Sequence, residues 1–84
     1  MKRDPEYFGD EIELCLIYIA KRLKEALALE EVLTRAGVDY LVEPDRYVGG
    51  IVFRSERVGA FFYVHPQALE SAKAIMLREG YHPY

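Results

Sequence analysis

Residues 12–37 read IELCLIYIAKRLKEALALEEVLTRAG, and the hydrophobic period changes once within them. Leu14, Cys15, Leu16, Ile17, Tyr18 and Ile19 are six apolar residues in succession. A run that short, rich in branched and aromatic side chains, fits a strand covered on both faces. Side chains alternate along a strand, so Leu14, Leu16 and Tyr18 are expected on one face and Cys15, Ile17 and Ile19 on the other. From Lys21 the repeat lengthens: Ala26, Leu29, Leu33 and Ala36 recur at three or four residues, with Leu23, Leu27 and Val32 widening the stripe. Lys, Arg and Glu hold most of the remaining positions, which describes an amphipathic helix with one side for a core. Gly37 supplies a left-handed stop. No Ser, Thr, Asp or Asn stands just ahead of Lys21 as an N-cap, and basic residues in the first turn oppose the helix dipole. The helix is therefore expected to fray at that end or to begin late.

Working outward, residues 1–11 are polar apart from Tyr7 and Phe8, and Asp4-Pro5 and Gly9-Asp10 punctuate them as loop. They read as a flexible N-terminal arm ahead of a single domain over residues 12–84, with the two aromatics packed on that domain or reaching a partner chain. Residues 39–43 form a second strand, with Tyr40 and Val42 on one side, Leu41 on the other, and Pro44 ending it. Residues 45–50 are a connection, and Ile51, Val52 and Phe53 a short strand. Residues 54–57 are a polar turn leading to a further strand, GAFFYV, at 59–64. The last two strands read as a hairpin. Phe61 and Tyr63 share one of its faces, and Ala60, Phe62 and Val64 the other. His65 and Pro66 open a second helix whose buried stripe is Ala68, Ala72, Ile75 and Met76, bordered by Leu69 and closed by Gly80. The final YHPY is too short, and too interrupted by Pro83, for more than a stub of strand.

The order β-α-β-β-α gives an α+β class: a ferredoxin-like sandwich with two helices on one face of a small sheet and a rudimentary last strand. In the full version the last strand pairs with the edge of the first. Here the first strand keeps an open edge beside an apolar face built from Leu14, Leu16, Tyr18, Phe61 and Tyr63. Exposed edges and apolar patches are normally covered, and two-fold self-association is the commonest cover. A homodimer is the expected partner arrangement, with another protein as the second choice.

Composition sets the outer bounds. The chain has 84 residues, 51% hydrophobic and 30% charged, enough for one folded domain with a modest core. Its net charge of −3 speaks against nucleic acid as the partner. The apolar run is too short to cross a membrane, and the charged start lacks the apolar segment of a secretory signal, so a cytoplasmic setting is expected. The single cysteine, Cys15, cannot form an intrachain disulfide and reads as core packing. His65 and His82 have no partners at metal-ligand spacing, and no catalytic constellation or cofactor motif is legible, so the chain reads as non-enzymatic. The alternative function is a small-ligand sensor in which the backbone of Gly49 and Gly50, with Arg46, Arg54 and Arg57, holds an anion or nucleotide. The same loops carry Glu43, Asp45 and Glu56, so their charges equally describe a solvated rim, and the phosphate-loop and dinucleotide spacings are absent. Phe61 and Tyr63 could serve as a base-stacking platform, but the acidic balance favours an apolar interface.

KEALALEEVLTRAGVDYLVE at 24–43, a Gly-containing loop, and GAFFYVHPQALESAKAIMLREG at 59–80 also form a familiar layout. With Glu25-Ala26, Leu33, Gly37-Val38, Gly49-Gly50, Val64-His65-Pro66 and the Ala68 to Ala72 spacing, the chain resembles a family of small bacterial domains grouped as prokaryotic signal transducing proteins. That family is similar in fold to ferredoxin-like and nitrogen-regulatory PII-like domains. The resemblance covers roughly residues 14–80 and rests on helix ends and core positions. It implies a PII-like fold and a part in signal transduction, and it brings no catalytic residues.

Overall fold

A computed structural model describes residues 1–9, 11–44 and 59–83. Its elements are α1 (Pro5–Phe8), β1 (Cys15–Ala20), α2 (Leu23–Arg35), β2 (Tyr40–Pro44), β3 (Ala60–Val64) and α3 (Leu69–Arg78). One turn of 3-10 helix over Pro66–Ala68 leads into α3. The strand expected at Ile51, Val52 and Phe53 lies outside the described residues.

The late start of α2 has a visible cause. Arg22 occupies the N-cap and makes no side-chain cap, but Glu25 reaches back to accept from the Lys21 backbone N–H at 3.2 Å. An acidic residue in the third helical position thus stands in for the missing cap, on the side of the dipole that favours it. The helix ends as the sequence requires. Gly37 takes φ +79°, the Val38 N–H returns to the Leu33 carbonyl at 3.0 Å, and the Gly37 N–H returns to Thr34 at 3.0 Å. The same paired closure ends α3: Gly80 takes φ +92°, and Tyr81 and Gly80 donate to the Met76 and Leu77 carbonyls. Both ends satisfy carbonyls that a helix otherwise leaves orphaned.

The sheet runs β1-β3-β2, antiparallel at both seams. β1 and β2, joined through α2, are therefore parallel to each other with β3 inserted between them. α2 and α3 cover one face. Their Ala26, Leu29, Leu33, Ala72 and Met76 join Ile17, Ala20, Val38, Tyr40, Phe62 and Val64 in one buried cluster. Tyr40 stacks on Phe62 at 5.9 Å, and its hydroxyl reaches Thr34 Oγ1 at 3.1 Å and donates to the Glu30 carbonyl at 3.2 Å. The ring is thus buried with its polar tip satisfied. The buried stripe of α2 is narrower than the sequence suggests: Leu23 and Leu27 are exposed, at 68% and 55%.

One strand departs from simple alternation. β1 carries a bulge between Leu16 and Tyr18, so Leu16 pairs with Tyr63 and Tyr18 pairs with Phe62. Ile17 is the extra residue, fully buried. Past it the faces swap. Tyr18 shares the helix-covered face with Phe62, and Ile19 joins Leu16 on the other. The expectation that Leu14, Leu16 and Tyr18 share a face is corrected here, because period-2 reasoning cannot see an unpaired residue.

Residues 1–9 lie beside β2. Lys2 forms a parallel bridge with Tyr40, the Tyr40 N–H donates to the Met1 carbonyl at 3.1 Å, and the Arg3 N–H donates to the Tyr40 carbonyl at 2.8 Å. The Met1 ammonium donates to the Val38 carbonyl. Phe8, on α1, is buried.

Candidate functional site

The face of the sheet away from α2 and α3 is the candidate surface. Register defines it as two cross-strand rows. Leu16, Tyr63 and Leu41 form one, and Ile19, Phe61 and Glu43 the other. Directly opposed side chains on one face are close enough to interact, so each row is a continuous contact line across three strands. None of these six residues belongs to the core cluster beneath the helices. Leu16, Ile19, Phe61 and Tyr63 are half-buried and Leu41 is buried, whereas Glu43 is exposed at the end of its row. Burial pushes the Tyr63 hydroxyl above its ordinary range, with the Glu43 carboxylate adding to the effect. The surface is therefore apolar and aromatic, with one acidic group at its β2 margin.

Of the residues the sequence places on this surface, Leu16, Phe61 and Tyr63 are on it, and Leu14 sits half-buried just ahead of β1. Tyr18 is not. Its hydroxyl donates to Glu25 Oε2 on α2 at 2.5 Å, and its ring meets Phe62 and Tyr81 edge-on, at 6.5 Å and 5.6 Å. Burial and then this hydrogen bond push the Tyr18 hydroxyl up to about 12. Ile19 and Leu41 complete the surface. Leu41 was legible from alternation alone. Ile19 was not, since nothing in CLIYIA marks where the bulge falls.

The edges of the sheet differ. The start of β2 is met by the arm. Arg3 Nε donates to Asp39 Oδ1 at 2.9 Å, Tyr7 donates to Asp39 Oδ2 at 3.2 Å, and the Arg3 guanidinium lies 4.4 Å from the Tyr7 ring centre. Burial pushes the Asp39 carboxyl upward. The hydrogen bonds from Arg3 and Tyr7, together with the charges of Arg3 and the Met1 ammonium, outweigh it and hold the carboxyl below its usual range. Along β1, by contrast, the described residues make no backbone hydrogen bond outside the ladder with β3.

The polar side chains described beside the start of α3 bond locally. An open groove of about 460 Å³ beside the start of α3 is lined by Tyr7, Phe8, Asp39, His65, Gln67 and Ser71, among others. Its His65 Nδ1 accepts from the Gln67 N–H at 3.0 Å, as an N-cap does, and Ser71 Oγ donates to the Ala68 carbonyl at 3.4 Å. Asp39 is held by the arm. Among the described residues that line it, His65 and Ser71 thus bond to the backbone and Asp39 to Arg3 and Tyr7. Among the described residues no three His, Cys, Asp or Glu side chains converge as a metal site, and no helix is long and apolar enough to cross a membrane. Arg46, Gly49, Gly50, Arg54 and Arg57, the anion site expected from the sequence, lie outside the described residues.

Among the described residues these features define a small α+β protein with a three-stranded antiparallel sheet, helices on one face and an apolar second face. No protein-family model, curated protein or solved structure matches the chain.

Proposed function

We propose that the chain is a non-enzymatic regulatory interaction module of ferredoxin-like topology, acting as a homodimer through the open side of its sheet. The observation that carries this reading is the pair of rows Leu16–Tyr63–Leu41 and Ile19–Phe61, an apolar surface that neither helix covers. Apolar surface of this kind, with a single acidic group at its margin, favours a protein partner, and a second copy is the partner always present at matching concentration. The strand order supports the topology: two parallel strands joined by a helix, with the third antiparallel between them, is how a ferredoxin-like fold sets its first three strands. A signalling role follows the resemblance to prokaryotic signal transducing domains.

The test is light scattering on the full chain across a micromolar concentration series. The expected result is a dimer that dissociates on dilution. Leu16→Asp puts an unpaired carboxylate into the contact and should weaken the dimer at least tenfold, about 1.4 kcal/mol. Circular dichroism checks that the variant remains folded. A monomer at every concentration would sink the proposal.

A further inference from the structure

We infer that the second copy joins edge to edge, β1 against β1 in antiparallel sense about a two-fold axis, extending the sheet from three strands to six. The inference rests on the self-association proposed above and moves its main contact from the apolar rows to the edge that adjoins them. Three observations carry it. First, β1 is an outer strand whose backbone has no partner beyond β3 among the described residues. Second, the strand itself, CLIYIA, carries no charge and no proline, two of the usual guards of an exposed edge, and its bulge at Ile17 is the one guard it has. Third, its flanks carry opposite charges: Glu11 and Glu13 precede it, Lys21 and Arg22 follow it, and all four are exposed. None of the four is in a side-chain ion pair among the described residues.

The charge arrangement selects the sense of pairing. Parallel strands would set acid against acid and base against base. Antiparallel strands set each acidic flank against a basic one, twice per dimer. The bulge sets Leu16 and Ile19 on one face and Ile17 and Tyr18 on the other, so the pairing that matches faces is centred between Ile17 and Tyr18; it places Leu14 opposite Lys21 of the partner subunit and Glu13 opposite Arg22 of the partner subunit. Glu11 then lies diagonal to that arginine, within reach of a long side chain. Opposed charges on facing strands favour the register and like charges oppose it. Leu16 and Ile19 then sit beside the seam, and the apolar rows of the two copies run into one another across it. The strand is only six residues long, so the contact is smaller than a standard stable interface, and a micromolar dimer is expected.

The test is sedimentation equilibrium of the wild type and of Glu13→Arg, Arg22→Glu, the double exchange and Phe61→Asp, each checked for folding by circular dichroism. Each single reversal should weaken the dimer about tenfold or more, and the double exchange should return it to within about threefold of wild type. Added salt should weaken the wild-type dimer. Phe61, one strand in from the edge, should tolerate Asp with little loss of dimer. A dimer that ignores the charge reversals but is lost in Phe61→Asp would overturn edge pairing while leaving self-association through the sheet intact. A wild type that is monomeric throughout would overturn both.

Discussion

The two edges of this sheet are treated in opposite ways. At β2 the chain uses its own first residues: Lys2 bridges Tyr40, Met1 and Arg3 share that residue's backbone groups, and Asp39 gathers Arg3 and Tyr7. At β1 nothing comparable is seen among the described residues. The difference lies in local chemistry. β2 is entered through an aspartate that cationic and hydroxyl donors can grip, while β1 is uncharged along its whole length and offers an intrachain arm little to hold. Among the described residues, β1 is thus the edge without cover from its own chain.

The largest way to break the contrast is at Tyr40, where the guarded edge and the core are one residue. Tyr40→Ala should cost about 3–4 kcal/mol in denaturant unfolding, through the lost ring and the orphaned partners at Thr34 and Glu30. It should also release the arm, read as faster exchange of nearby amides. If stability fell by much less, the ring would not be the hinge between edge and core.

A smaller change separates the two roles. Asp39→Asn should leave the core intact, cost about 0.5 kcal/mol, and speed exchange of the Tyr40 amide, because exposed ion pairs contribute little globally. The pH dependence has a definite sign. A carboxyl held below its ordinary value supplies stability that is present above about pH 4 and lost as pH falls through the depressed value. The arm should loosen in acid, and the variant should abolish that step.

A third effect, confined to alkaline pH, is expected on the β1 side. Tyr18 is raised to about 12, so its contribution is present below about pH 10 and lost as pH rises toward 12. Tyr18→Phe should flatten the alkaline limb of a stability-versus-pH curve. An unchanged limb would mean the Glu25 hydrogen bond does not hold the hydroxyl protonated.

Much of the architecture could be read from residue order because each signal was local. Gly37 and Gly80 end helices where expected, since each takes a positive φ and completes a paired backbone closure. Alternation placed Phe61 with Tyr63, Phe62 with Val64 and Leu41 opposite Tyr40 correctly, because β2 and β3 pair without interruption. The errors fell where distant partners decide the outcome. Leu23 and Leu27 fit a helical stripe but lie outside the width that the sheet and α3 cover. Tyr18 changed face because its register is set by β3, some forty positions later. The grip of Asp39 on the arm was invisible for the same reason, since Arg3 and Tyr7 reach it only after the chain has closed.

The unpaired residue in β1 also says something about how freely this chain's length can vary. Were Ile17 deleted, Leu16 would still point outward, Tyr18 inward and Ile19 outward, now on a regular ladder. The excision would forfeit one buried side chain from the interior and leave the appearance of both surfaces unchanged, so the added position enlarges the core without altering what the sheet presents to the outside.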